Sequence, residues 1–243
     1  MMDEILINKS SIENISKAIC LFYGENSLSM EQIKSYLRQI VSNYNNYNED
    51  IKLLTEGTIE SLVIPNGVTS IGDYAFYGCK NLMNISIPDS VVSVGESAFQ
   101  GCSKLSMPAM PNGLVTIGDY AFYYNIGARG TINFYDNLVS IGEWAFGYCR
   151  NIERLIFPKS LKNIGNRAFS YCVTNTLNPS TGTVEYNGLS YVEFKGKPDN
   201  IDNNAFSYCT NLTTINVPWA EGEVAGAPWG ATNATINYNY TGE

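Results

Sequence analysis

The chain has 243 residues, 44% hydrophobic and 16% charged, with 23 acidic side chains against 15 basic ones and no histidine. The formal net charge of −8 opposes phosphate backbones, so nucleic acid is not an expected partner. No stretch approaches the roughly 18 apolar residues that a membrane span needs, so none is expected.

The opening MMDEILINKSSIEN has no basic segment followed by an apolar run, so no signal peptide is expected. Residues 10–23 then set Ile12, Ile15, Ile19 and Phe22 on one helical stripe, with Ser10 and Glu13 spaced as a capping box and Gly24 as the stop. Residues 29–44 repeat the theme through Met30, Ile33, Leu37, Ile40 and Tyr44, opened by Ser29 and Gln32. The pattern predicts a helical hairpin over 1–45 and a polar linker over 46–56. Two helices bury little by themselves, so the hairpin is expected to dock on the first repeat, on sister copies or on a partner.

From there the chain is periodic. Ala-Phe recurs at Ala75, Ala98, Ala121, Ala145, Ala168 and Ala205, in steps of 23, 23, 24, 23 and 37 residues. Ile-Gly or a near match precedes each pair, from Ile71-Gly72 through Val94-Gly95, Ile117-Gly118, Ile141-Gly142 and Ile164-Gly165 to Ile201-Asp202. Four residues beyond each Ala stands Cys79, Cys102, Asn125, Cys149, Cys172 or Cys209. Apolar pairs such as Leu62/Ile64, Ile85/Ile87, Leu155/Phe157 and Ile215/Val217 are spaced by two, which turns both members to one face of a short strand. Pro at 65, 88, 111, 158 and 218 ends that strand, having no N–H for a ladder. The Gly of Ile-Gly is expected to permit a tight turn, and Asp73, Glu96, Asp119 or Glu143 after it suits the start of a short helical turn. One such unit cannot bury its own apolar face, whereas stacked units share a core.

The third repeat departs from the pattern at Pro108 and Asn125, and residues 174–190, with Pro179, Gly182 and Gly188, predict an inserted loop or hairpin, a tolerated surface insertion. After Pro218, residues 219–243 predict a terminal cap, in which Ala234–Tyr238 forms a closing strand and Trp219 and Trp229 cover the last open turn.

These repeats resemble the BspA-like bacterial leucine-rich repeats, whose pattern runs I-P-x-x-V-x-x-I-G-x-x-A-F-x-x-C-x-x-L, over residues 57–218. The resemblance implies an α/β repeat fold: a right-handed leucine-rich-repeat solenoid of about six turns, with a parallel sheet on one face and short helical segments on the other, preceded by the helical hairpin. The hairpin and the tail VPWAEGEVAGAPWGATNATINYN are similar to end segments of virion-associated proteins of gut bacteriophages and prophages. That second resemblance implies a virion component assembled in the host cytoplasm, attached through the hairpin to other particle proteins or sister copies.

Chemistry is sparse. The absence of histidine removes Ser-His-Asp and Cys-His nucleophile systems and most zinc sites, and neither a phosphate-binding glycine loop nor a C-x-x-C pair occurs. Five of the six cysteines share one repeat position, which predicts an internal structural column rather than reactive thiols. Asp73, Glu96, Asp119 and Glu143 are the acids a glycosidase reading would need, but their recurrence is explained by the turns. Asp199–Asn203 has a calcium-like composition without the Gly and distal Glu of an EF-hand loop, and coincides with a normal turn. No catalytic residue, metal or cofactor is therefore expected. Two variable rows remain as candidate binding residues: Met107, Arg154, Ile156, Tyr191 and Glu193 on the outward face of the strands, and Tyr74, Tyr120, Trp144 and Arg167 ahead of the Ala positions. The expectation is a non-enzymatic binding or structural protein, a tail, fibre or decoration component of a bacteriophage or prophage particle, that presents these to a protein or glycan on a bacterial surface. The alternatives are a cell-surface adhesin and, third, an enzyme acting on polysaccharide.

Overall fold

The computed structural model describes residues 60–64, 66–177 and 184–242. The hairpin and linker expected over 1–56 lie outside the described residues. In chain order the strands are β1 (Ser61–Val63), β2 (Ser70–Ile71), β3 (Asn84–Ser86), β4 (Ser93–Val94), β5 (Thr116–Ile117), β6 (Arg129–Asn133), β7 (Ser140–Ile141) and β8 (Asn151–Phe157). They continue with β9 (Asn163–Ile164), β10 (Val173–Leu177), β11 (Val184–Gly188), β12 (Tyr191–Phe194), β13 (Asn200–Ile201), β14 (Thr214–Asn216) and β15 (Thr235–Asn237).

Successive turns pair in parallel. The strand triplets read from the apolar spacing pair as β1–β3 and as a five-stranded sheet in the order β15-β14-β12-β8-β6. Their central residues, such as Ile85, Leu155 and Ile215, are buried. The two groups are separate because residues 107–109 form no strand, where Pro108 has no N–H to donate. The insertion is an antiparallel hairpin, β10 against β11, with Val173 opposite Gly188 and Leu177 opposite Val184.

The second face differs from the expectation. Among the described residues there is no helix; the two residues ahead of each Gly, and of Asp202 in the last repeat, form a six-stranded parallel sheet, β13-β9-β7-β5-β4-β2. The segment after the Gly is a turn in which Tyr74, Ser97, Tyr120, Trp144 and Arg167 take positive φ of 51–58°. A left-handed residue breaks helical propagation, and it directs backbone N–H groups at the adjacent turn rather than back along the chain. Tyr74 N–H donates to the Glu96 carbonyl at 2.8 Å, Phe76 to Ala98 at 2.7 Å and Gly78 to Gln100 at 2.8 Å, and the pattern repeats upward. Hydrogen bonds between turns replace the helix.

The glycines are also explained differently. Gly118 and Gly165 do not need positive φ; a Cβ on either would come within 2.7 Å of the carbonyl carbon of the glycine one turn below. Close stacking, rather than turn freedom, excludes a side chain there. The acids after Gly72 and Gly118 cap the next turn instead of a helix: Asp73 Oδ1 accepts from the Glu96 N–H and Asp119 Oδ1 from the Glu143 N–H, both at 2.7 Å.

Ala-Phe points inward, and the phenylalanines stack as one column from Phe76 through Phe99, Phe122, Phe146 and Phe169 to Phe206, with centroids 5.0–5.5 Å apart. Beside it runs the cysteine column, in which Cys102, Cys149, Cys172 and Cys209 are buried and Cys79 is half-buried. Each buried thiol donates to the phenylalanine carbonyl of the turn below: Cys102 to Phe76 at 3.0 Å, Cys149 to Phe122 at 3.1 Å, Cys172 to Phe146 at 3.2 Å and Cys209 to Phe169 at 2.9 Å. All five described cysteines are free. Burial pushes the Cys149 thiol up to about 12 and raises Cys172 well above the ordinary thiol value. Asn125 takes the same place in the third turn, fully buried, and neither its Nδ2 nor its Oδ1 has a hydrogen-bond partner.

The far end is closed by residues 219–242. Trp229 is fully buried and donates from Nε1 to the Ala225 carbonyl at 2.8 Å. Phe194 packs edge-on to Trp219 at 5.3 Å, and β15 adds a last parallel strand to β14.

Two outcomes follow. Asn125→Cys restores the thiol position and removes two unpaired polar atoms, so the denaturation midpoint should rise, by about 1–3 kcal/mol in stability. Cys149 and Cys172 should resist alkylation of the native protein while reacting fully in denaturant, as read by mass spectrometry.

Candidate recognition surface

The two rows of candidate residues lie on different stretches of the turn, and no contact among the described residues joins them. On the strand face, the register sets Tyr191 opposite Arg154 and Glu193 opposite Ile156. The Arg154 guanidinium carbon lies 3.9 Å from the Tyr191 ring centroid, a cation–π contact. The Tyr191 hydroxyl donates to Glu193 Oε2 at 2.6 Å and accepts from Asn216 Nδ2 at 2.9 Å, and Asn237 Nδ2 donates to Asn216 Oδ1 at 2.7 Å. These polar groups satisfy one another, so this cluster is preorganised and largely occupied. Burial, reinforced by the Glu193 carboxylate, pushes the Tyr191 phenol up to about 12. Met107 is not part of it: the residue stands in the strandless gap.

The second row sits in the left-handed turns. The Tyr74 hydroxyl donates to the Glu96 carboxylate, Tyr120 lies edge-on to Tyr123 at 5.5 Å, Tyr123 meets Trp144 edge-on at 5.7 Å, and the Arg167 guanidinium is 5.3 Å from the Trp144 ring. A neighbouring aromatic column was missed from sequence. Two residues after each core Phe stand Gly78, Gly101, Tyr124, Tyr148, Tyr171 and Tyr208, all at positive φ. A non-glycine residue there costs about 1–2 kcal/mol, which ring stacking offsets. Tyr148–Tyr171 and Tyr171–Tyr208 stack at 4.6 and 4.4 Å with rings within 11° of parallel. The signal was present in the repeat as Gly, Gly, Tyr, Tyr, Tyr, Tyr at one position. Rings stacked this closely cover one another's faces and offer edges and hydroxyls. Tyr124, by contrast, has Gly101 as its counterpart one turn below, so no ring stands beneath it, and Tyr124 is exposed.

Where the third repeat departs from the pattern, the surface is concave. A groove of about 740 Å³ is lined by Met83, Ser103, Lys104, Ser106, Met107, Tyr124, Ile126, Gly127, Arg129, Arg150, Asn151 and Thr174. Two smaller recesses adjoin it and share Arg129: one of about 510 Å³ bounded by Arg154 and the insertion hairpin, and one of about 210 Å³ along residues 107–110. Four of the chain's fifteen cationic side chains, Lys104, Arg129, Arg150 and Arg154, face these recesses. Among the described residues none of the four makes an ion pair; the pairs that form are Lys162–Asp199 at 3.7 Å and Lys197–Glu223 at 2.8 Å. Sequence reasoning had found Met107 and Arg154 here but not Lys104, Arg129 or Arg150, because the groove exists only where three irregular stretches meet.

Of the four recurrent acids, Asp73 and Asp119 accept backbone N–H groups of the next turn and Glu96 accepts the Tyr74 hydroxyl. Asp199–Asn203 contains β13, an ordinary repeat strand paired with β9. Among the described residues no group of three or more His, Cys, Asp or Glu side chains could hold a metal, and no helix is long and apolar enough to cross a membrane.

A phenol whose folded value is raised above the ordinary 10.0 binds its proton more tightly when folded. Its stabilisation is complete below pH ~10 and is lost as pH climbs toward 12. Tyr191→Phe should therefore flatten the fall in denaturation midpoint over that alkaline window, measured beside the parent chain.

A search of curated proteins finds no match. A leucine-rich repeat protein from Bacteroides ovatus is 30% identical over 65% of this chain, with a TM-score of 0.53, and this chain spans 39% of its length. A T. pallidum leucine-rich repeat protein is 27% identical, covering 74% of this chain and 70% of that one with a TM-score of 0.48. The pneumococcal vaccine antigen PcpA shares the fold at 16% identity and a TM-score of 0.54, covering 74% of this chain and 42% of that one. The profile of the BspA type leucine-rich repeat region matches six copies over residues 51–176 and 180–222, and the chain belongs to that family.

Proposed function

We propose that this chain is a non-enzymatic recognition protein that binds a protein or glycan at a bacterial surface through the side of its solenoid. The observation that carries this reading is the contrast between an interior repeated with one exception, Asn125, and variable outward positions. The Phe and Cys columns repeat turn after turn, while the positions facing out carry Tyr, Trp, Arg and Met, the residue types that anchor interfaces. Leucine-rich repeat proteins generally act by binding, and three of the four recurrent acids here, Asp73, Glu96 and Asp119, tie one turn to the next.

Two settings are open to such a protein. The bacterial cell surface draws support from membership of the BspA type family. A bacteriophage or prophage particle, the second setting, draws on the resemblance of residues 1–45 and of the tail to virion-associated proteins. In that setting the N-terminal segment attaches the chain to other particle proteins or sister copies, and the solenoid faces the host.

The test is localisation. Antibodies against the solenoid should label intact cells in uninfected culture, and purified particles should lack the chain. Enrichment in particles with unlabelled cells would move the chain to the second setting. Finding it confined to the cytosol, in cells and lysates alike, would sink both.

A further inference from the structure

Three departures from the repeat converge on one place. Pro108 interrupts the first sheet, Gly101 supplies no ring to stack on the exposed Tyr124 of the turn above, and the insertion brings Thr174 to the rim. Each by itself is a tolerated irregularity; together they open the groove of about 740 Å³. Its charge is opposite to that of the molecule. In a chain of net charge −8, Lys104, Arg129 and Arg150 line it and no acidic side chain does.

The charges are held in place yet available. Arg150 lies over the rings of Tyr148 and Tyr124, 5.6 and 6.0 Å from their centroids, which orients the guanidinium without neutralising it. Lys104 Nζ donates to the neutral Asn81 Oδ1 at 2.9 Å. Asn151 Nδ2 is held by the Ile126 carbonyl at 2.6 Å, leaving its Oδ1 as the acceptor on that wall. Arg129 is exposed and, among the described residues, makes no ion pair.

We propose that this groove binds an acidic saccharide, with its carboxylate or sulfate held by Arg129 and Arg150 and one pyranose face resting on the Tyr124 ring. A guanidinium matches the planar, two-oxygen geometry of such an anion. An aromatic face favours the C–H side of a sugar and discriminates against an extended acidic peptide, which would use the cations but not the ring. The inference deepens the recognition reading by naming the ligand class, and it rests on that reading.

The experiment is calorimetric titration of the full chain with oligogalacturonate and with chondroitin sulfate oligosaccharides, against neutral dextran oligosaccharides and poly-glutamate. Binding of at least one acidic saccharide and not of dextran is expected, weakening as salt rises. The double variant Arg129→Ala/Arg150→Ala should bind at least about tenfold more weakly. So should Tyr124→Gly, a change the backbone accepts because φ is already 61° there and glycine fills the position in two other turns. Lys195→Ala, on an exposed lysine outside the groove, should bind as the parent does, and thermal melts establish that the variants fold. Equal binding of poly-glutamate, or affinity unchanged in Tyr124→Gly, overturns the saccharide assignment. Failure of every acidic saccharide overturns the groove's role, while the broader recognition reading is decided separately by surface labelling.

Discussion

One turn of this chain cannot exist alone. Its Ile, Leu and Phe side chains point to one side, and only the turn above and the turn below can cover them. The stack therefore has to close to strand spacing everywhere at once. The 5.0–5.5 Å steps of the phenylalanine column are that requirement made visible, since rings at one position of successive turns are brought to near-contact by the backbone hydrogen bonds between those turns.

Much of the remaining detail follows from that spacing. At the two-residue strands the backbones approach so closely that no Cβ fits at Gly118 or Gly165. At the turns, left-handed residues aim N–H groups along the stack, so the chain accepts local strain in exchange for bonds between neighbours. At the cysteine position a small thiol fills the interior and donates to the Phe carbonyl below. Asparagine in that place buries a polar amide that finds no partner, a defect confined to the third turn. The open upper end is met by two tryptophans and a further strand.

A stack built this way is uniform by construction, and recognition needs places where it is not uniform. The frame supplies two kinds. Strand and turn positions that face outward can vary freely, and the Arg154–Tyr191–Glu193 cluster shows how far neighbouring turns tie such side chains to each other. Interruptions of the pattern produce shape: the missing strand at 107–109 and the hairpin β10–β11 turn a flat side into a groove. Irregular residues in a repeat are therefore the better place to look for ligand chemistry than the repeated ones.

Periodicity by itself determined the solenoid, the inward Ala-Phe pair, the cysteine column and the strand triplets, because each depends on spacing of apolar residues along the chain. The same letters did not reveal the second sheet, since a two-residue Ser-Ile strand has no periodic signature and exists only when the next turn supplies its partner. Nor did they distinguish a helical turn from a left-handed one, because Tyr, Trp and Arg at positive φ are tolerated only through hydrogen bonds to a neighbouring turn. The groove was invisible for a related reason: Lys104, Arg129 and Arg150 are scattered over nearly fifty residues, and stacking alone brings them to one wall.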